Sequence, residues 1–497
     1  MSASPCSKDL GALLEGGGPE LVGRALGEAV ASARPPEPVK PTPSGRPQAR
    51  ARRPAAHSAR LEFSRGDEQE IAEVVLSELE AGGAPRTVAD RGTLFRYDPD
   101  SGLWREFPPN EFMQRVGQLA GAPVRRGERA DPLTVHDRTR RGAHATALSD
   151  RAKPAFFDCA PLGVAFADGY LRLDADGRAT MHDHSPENRA TVALPFARQE
   201  DAVCPLWDDA CRLWFGLEPD PDRCIAALSE FVGACLFGQA TRYERALWLI
   251  GEGANGKSQL LAVLGALFEP LGVASIAPHD FASETFCAAL ASVRANLVTE
   301  ADERIMTNPA RYKAILSGDQ LTARRLYKDP FQFRPRAGHI FACNDLPATR
   351  DHSRGFWRRA LVLRFARDFE GEARHLRRAG FAESIIAAEL AGIVAWAERG
   401  WRSLADRGEY TEPACHEEVS REWRLSTDSV AAWVEERCGR GGWTATDTLY
   451  DLYSHWARGA GLEPVSKNAF GKRLGRLGIT AAKHVGRGWE LTARGRG

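Results

Sequence analysis

Apolar and polar positions change rhythm most sharply at Ala246-Leu247-Trp248-Leu249-Ile250, a solid apolar run that gives way to Gly251-Glu-Gly-Ala-Asn-Gly-Lys257-Ser258. The apolar stretch Gln259 to Phe268, read as a helix, follows at once. Unbroken apolar runs bounded by turn residues predict strands buried on both faces, as in a parallel sheet. Three more such runs follow: one ends at Glu300, one ends at Asn344, and Ala360 to Phe365 is the third. Upstream the pattern is different. Glu68 to Leu79 places Ile71, Val74, Val75 and Leu79 on one helical face, while Thr93–Tyr97 and Gly102–Phe107 predict short strands across a turn. Strand-like runs continue from Phe156 to Leu173 around Asp168-Gly169. Trp207–Phe215 and Cys224–Leu236 predict two amphipathic helices separated by Glu218-Pro-Asp-Pro-Asp.

Near the C-terminus, Trp433, Leu449, Tyr450, Leu452, Tyr453 and Trp456 supply an apolar set on two helices. A third helix, 466–477, is capped by Ser466, and residues 480–491 predict a β-hairpin with a Gly-Arg-Gly tip. Residues 1–64 promise no regular structure: proline recurs too often from Arg34 onward, and Arg50, Arg52 and Arg53 follow in a basic cluster.

The glycine-rich segment carries the first chemistry. Strand, glycine loop and helix in this order suit a loop that cradles phosphates. Its glycines let backbone N–H groups approach phosphate oxygens, and the helix N-terminus adds partial positive charge. Gly251, Gly253, Asn255 and Gly256 thus form a candidate nucleotide-binding loop. Lys257 would reach the β/γ-phosphates of ATP and Ser258 would sit on Mg²⁺. Ligands in open parallel sheets lie at the carboxyl ends of strands, so Lys257, Glu300 and Asn344 are expected to converge. Glu300 would orient the attacking water and reach the metal shell; Asp302 is the alternative acid. Arg358 and Arg359 precede the last strand run, and Arg359 is the favoured transition-state arginine, with pairing to a local acid as the alternative.

With these motifs in view, the chain resembles superfamily 3 helicases of the phage/plasmid type, an AAA+-like class. Besides the glycine loop, the resemblance rests on Tyr312-Lys-Ala-Ile-Leu-Ser-Gly318-Asp319, Thr322-Ala-Arg324-Arg-Leu-Tyr-Lys328, Phe341-Ala-Cys-Asn344-Asp-Leu-Pro347 and Asp351–Arg359. It is dense over 240–368 and weaker on either side. It implies a multidomain α/β protein: an N-terminal α/β domain over 65–205, a helical collar over 206–240 and an AAA+-like P-loop ATPase core with a parallel sheet over 241–370. A helical lid or linker over 371–424 and a winged helix over 425–497 complete that organisation. It also implies a ring, expected to be a homo-hexamer, that moves 3′→5′ on single-stranded DNA. The N-terminal part offers no convincing set of paired carboxylates with a His for a primase site, so any priming is expected from a separate chain. In the resembling family the segment 318–333 projects into the channel as a hairpin, which makes Lys328, Arg324 and Tyr327 candidate single-strand contacts; a solvated basic hairpin is the alternative.

Net charge is zero, with 66 basic and 66 acidic residues, so only local patches can speak for nucleic acid. One stands out. Lys467, Lys472, Arg473, Arg476 and Arg487 crowd the last helix and hairpin with a single acid, Glu490, after Ser466. That asymmetry suits duplex DNA phosphates, although winged helices also dock proteins. The ten cysteines contain no C-x2-C pair and read as free buried thiols. No apolar run reaches membrane-spanning length, and the cytoplasm is the expected location. Two rivals to a helicase stay open: an origin-melting remodeller without processive unwinding, and a non-enzymatic DNA-binding replication protein with a relic loop.

Overall fold

The computed structural model describes residues 62–80, 87–302, 304, 306, 308–326, 330–483 and 487–493. The N-terminal tail, expected to be without regular structure, lies outside the described residues through residue 61, as do Tyr327 and Lys328.

The predicted first helix forms as α1 (Glu68–Glu80), burying Ile71, Val75 and Leu79. Strands β1 (Thr87–Asp90), β2 (Thr93–Asp98) and β3 (Leu103–Glu106) make an antiparallel sheet, of which β1 was not foreseen. Helix α2 (Pro109–Gln118), the ribbon β4 (Pro123–Arg126) and β5 (Arg129–Pro132), and helix α3 (Asp137–Asp150) complete this lobe. Its own core joins Phe63, Ile71, Leu94, Phe112, Val116 and Ala147.

A second antiparallel sheet follows: β6 (Gly163–Phe166), β7 (Gly169–Leu173) and β8 (Ala179–His182). Residue 205 was expected to close the N-terminal domain, but the core runs through it. Val164, Phe166, Leu171 and Leu194 share one buried cluster with Trp207, Trp214, Phe231 and Trp401. Full burial of each large apolar side chain is worth about 1.5–3 kcal/mol. Cutting there would expose an amount comparable with a whole domain's stability, about 5–15 kcal/mol.

Helices α4 (Pro205–Phe215) and α5 (Pro221–Leu236) form where the pattern placed them. Helix α5 is buried from Ala227 to its end, so these two helices belong to the shared core as well as standing where a collar was expected. Five parallel strands make the central sheet, in the order β10-β11-β14-β9-β15. They are β9 (Ala246–Ile250), β10 (Val273–Ala274), β11 (Ala295–Val298), β14 (Gly338–Cys343) and β15 (Ala360–Arg364), with helices α6 (Lys257–Phe268) and α7 (Pro309–Leu316) between them. The expected hairpin appears between β11 and β14 as β12 (Leu321–Arg324) and β13 (Pro330–Phe333).

Residues 371–424 were expected as a lid or linker, yet α8 (Phe381–Arg407) is a core helix packed on α5. The two helices meet through glycine. A Cβ on Gly233 would strike the Ala397 carbonyl, and one on Gly400 would strike Ser229. Buried carboxylates also tie α8 to the chain leading into α4: Glu398 takes Arg198 at 2.9 Å, and Glu389 accepts the Leu206 and Trp207 amides at the start of α4. Helix α9 (Ala414–Thr427) then covers the sheet's edge strand. His416 Nδ1 accepts the free-edge Val362 amide at 3.2 Å, which leaves β15 closed to further pairing.

The C-terminal module comprises α10 (Ser429–Arg437), β16 (Cys438–Ala445), α11 (Thr446–Gly459), α12 (Lys467–Arg476), β17 (Ala481–Lys483) and β18 (Arg487–Ala493). Strand β16 was not anticipated; it pairs with β18 to give an antiparallel sheet in the order β16-β18-β17. Trp433, Leu449, Tyr453, Phe470, Leu474 and Leu491 close its core. Among the described residues, no helix is long and apolar enough to cross a membrane, and the cysteines are free, with Cys159 alone exposed.

Candidate functional site

Strand β14 lies between β11 and β9, and all three run parallel, so their carboxyl ends share one edge of the sheet. A cavity of about 430 Å³ opens there. Its lining includes Gly253 to Gln259 from the loop after β9 and the start of α6, Thr299 and Glu300 after β11, and Cys343 and Asn344 at the end of β14. Lys257, Ser258, Glu300 and Asn344, distant in sequence, therefore face one space.

The loop is held from behind. Gly256 adopts φ +96°, and a Cβ there would strike the Trp214 indole, so glycine is needed for both reasons. Asn255 is buried; its amide donates to the Glu252 carbonyl at 2.6 Å and to the Phe365 carbonyl at 3.3 Å. The Phe365 amide donates to Ile250 at 2.8 Å and that of Phe369 to Ala254 at 2.9 Å, which staples the chain after β15 along the loop.

Lys257 is 7% exposed and folds back on the loop, donating to the Gly251 carbonyl and, at 3.1 Å, to Asn255 Oδ1. Burial holds its ammonium below the ordinary lysine range. Burial also pushes the adjoining Cys343 thiol up to about 12, so it stays protonated and unreactive. Ser258, Glu300 and Asn344 are exposed to the cavity. Asp302 is engaged elsewhere, with His279 at 3.2 Å and Arg304 at 2.8 Å, and does not line the space.

Arg359 sits differently from expectation. It is the favoured transition-state arginine from sequence, but its side chain is only 9% exposed and bonds to Glu244 at 2.9 Å and Ser317 at 2.7 Å, and to the Gly355 carbonyl. Glu244 adopts φ +56° just before β9, and Arg358, 54% exposed, shares the same carboxylate oxygen. Asp351, an acid close by in sequence, pairs with Lys313 at 2.7 Å and not with either arginine. The far wall of the cavity was also missed: Leu213, Phe369, Leu376, Arg377, Arg378 and Phe381. A basic pair flanked by apolar residues was its one sequence signal.

The DNA candidates divide by exposure. Arg324 is exposed on the hairpin. On α12, Lys472 and Arg476 point outward, and Lys467 is exposed with Asp447 as its partner. Arg487 is exposed on β18. Arg473 is not an open surface charge. It binds Asp428 at 2.9 Å, an acid that also caps α10 through the Val430 and Ala431 amides and lies 3.6 Å from His352.

Comparison with known proteins bears on the same segment. Residues 249–359 match the model of a family of unknown function (DUF5906). Over 158 residues the chain is 32% identical to "Putative helicase L207/L206" of Acanthamoeba polyphaga mimivirus; the match covers 30% of this chain and 16% of that protein. Among solved structures, the apo C-terminal region of NrS-1 aligns over 86% of this chain and 99% of its own, with 10% identity and a TM-score of 0.43. Another apo structure of that region, residues 305–718, gives 12% identity over the same shares, also at 0.43.

Proposed function

We propose that the chain is an ATP-driven DNA helicase motor with a P-loop core of the AAA+-like type. One observation carries this reading: a phosphate-type glycine loop, a lysine, an acid and an amide meet in one cavity at the carboxyl ends of adjacent parallel strands. The similarity of part of the chain to a helicase-named viral protein supports it.

In this reading Lys257 exchanges its bonds to Gly251 and Asn255 for phosphate oxygens, which offsets the burial of its charge. The loop amides and the start of α6 hold the remaining oxygens. Ser258 and Glu300 would hold Mg²⁺. Their exposed oxygens fit an ion that takes few protein ligands and keeps water and substrate phosphates, and when bound it neutralises charge on the phosphates. Glu300 orients the attacking water, and Asn344 fixes that water or the γ-phosphate. Arg358, the exposed member of its pair, is assigned to the neighbouring subunit's nucleotide in a ring of six, while enclosed Arg359 shapes the turn that presents it.

Hairpin β12–β13 grips single-stranded DNA with 3′→5′ movement. The C-terminal module is a winged helix whose Lys472, Arg476 and Arg487 meet duplex phosphates. Any primase is a separate chain. A forked-duplex assay with ATP tests the whole reading: unwinding that vanishes in Lys257→Ala is expected, and DNA-dependent ATP turnover without strand separation would reduce the protein to a remodeller.

A further inference from the structure

A second cavity, of about 440 Å³, opens in the N-terminal lobe and uses no residue assigned to the motor. The end of α1, strands β1 and β3, the end of α3, the loop after it and the turn Pro186–Asn188 supply its walls. Its volume falls within the range of small-ligand sites, roughly 300–1,000 Å³.

One wall is aromatic. Trp104 meets Phe156 edge-on at 5.2 Å between ring centroids, and its indole N–H is already spent on the Pro186 carbonyl at 2.9 Å. The charges fall into two sets. Arg151 is matched by Glu80 at 3.2 Å, and Asp150 at the rim accepts from Gln69 at 2.8 Å. Glu187, also at the rim, accepts from Ser185. Lys153 and Arg189, by contrast, have no carboxylate partner among the described residues. Both lie over the Phe156 ring, Arg189 at 4.5 Å and Lys153 at 6.0 Å.

The backbone here is held under constraint. Ala155 and Arg189 adopt φ of +60° and +51° without being glycine. Buried Asp90 fixes the first by accepting the Ala155 and Phe157 amides at 3.1 and 3.4 Å, and Arg189 is locked by donating to the Phe156 and Cys159 carbonyls. Such conformations persist where the surroundings over-determine them, and they cluster at ligand sites.

We propose that this cavity receives one nucleotide unit of a single-stranded nucleic acid, its base stacked on the Arg189 guanidinium that covers Phe156 and beside the edge of Trp104, its phosphate at Lys153. Unmatched cations around an aromatic face are the chemistry that binds single strands without regard to sequence. A strand is favoured over a free nucleotide by where the loop is fastened. The Asp158 carbonyl accepts from Arg336, which lies between hairpin strand β13 and central strand β14. The cavity's loop is thus tied to the foot of the hairpin assigned to single-stranded DNA. The choice of a strand rests on that assignment; the nucleotide chemistry of the cavity does not.

Photo-crosslinking of the full chain to a thiothymidine-substituted oligothymidylate, without ATP and with mass-spectrometric mapping, tests this. Crosslinks are expected on peptides carrying Trp104 or Phe156. Exposed Lys153→Glu should lower that yield at least about fivefold, the low end for one stacked base, and Phe156→Ala should do the same. Melting temperature and DNA-free ATP turnover should stay unchanged in Lys153→Glu. Absence of these crosslinks, or yields that neither substitution moves, overturns the site. Thymidine monophosphate at equal nucleotide concentration should leave the crosslink in place; displacement would make this a free-nucleotide site and overturn the strand assignment. The same crosslink in Lys257→Ala keeps the result separate from any failure of the motor reading.

Discussion

The cavity edge of the central sheet holds Lys257, Ser258, Glu300 and Asn344 around one space, whereas the basic face of α12 keeps Lys472 and Arg476 on the surface and loses Arg473 to the interior. At the sheet edge, position follows from topology. Parallel strands end on the same side, so residues just past Ile250, Val298 and Cys343 must meet. On α12 position follows from rotation around a helix, which scatters neighbours over different faces. Arg473 turns inward to Asp428 while Lys472 and Arg476 face solvent. The Arg358–Arg359 pair divides in the same way, one guanidinium enclosed and one open. Strand-end chemistry can be read from sequence, whereas surface charge needs the packing.

The largest effect should come from the sheet edge. Lys257→Ala removes the cation that the proposed function sets against the transferring phosphate, and ATP turnover should fall by roughly a thousandfold or more with the fold intact, as steady-state assays and circular dichroism can check. Turnover near the wild-type level would sever the loop from catalysis.

Next comes the arginine pair. Arg358→Ala should lower turnover by about a hundredfold or more and should inhibit mixed rings out of proportion to its share, while stability moves by less than about 0.5 kcal/mol. Arg359→Ala deletes a buried guanidinium with its bonds to Glu244, Ser317 and Gly355 and leaves a cavity, so a loss of about 1–3 kcal/mol in urea unfolding is expected. The reverse pattern would return the transition-state role to Arg359.

Helix α12 permits the same dissection on a smaller scale. Arg473→Ala should unfold the C-terminal module earlier, because Asp428 keeps its burial and loses its counter-ion. Lys472→Ala should leave melting unchanged and reduce the salt slope of duplex binding by about 0.9. An unchanged slope in Lys472→Ala and in Arg476→Ala alike would make the module a protein-docking element.

The smallest effect is one of pH. Burial, helped by Arg245, lowers the His416 pKa to about 4 from 6.5. The unfolded chain therefore binds a proton that the folded chain refuses, and stability, fully present above pH 6.5, should decline as pH falls toward 4. His416→Asn should flatten that slope in urea titrations between pH 7.5 and 5.

Much of the central sheet was legible because its strands are unbroken apolar runs: β9, β14 and β15 form within a residue of the ends read from sequence. What escaped had weak local signals or distant partners. Strand β16 is spelled Cys-Gly-Arg-Gly-Gly-Trp-Thr-Ala, with no alternation to mark it. Helix α3 is rich in arginine and small residues and buries only Ala143 and Ala147. The enclosure of Arg359 depends on Glu244, 115 residues away, and the run of the core through residue 205 depends on α8, so neither could be seen along the chain.

The central claim is that Glu300, Lys257 and Asn344 act on one phosphate in one cavity. Parallel measurement of ATP binding and single-turnover hydrolysis in Glu300→Gln and Asp302→Asn tests it most directly. Glu300→Gln should bind ATP near the wild-type level and hydrolyse it at least about a hundredfold more slowly, with Asp302→Asn close to wild type. Normal hydrolysis in Glu300→Gln, or a dead Asp302→Asn beside it, would contradict the account.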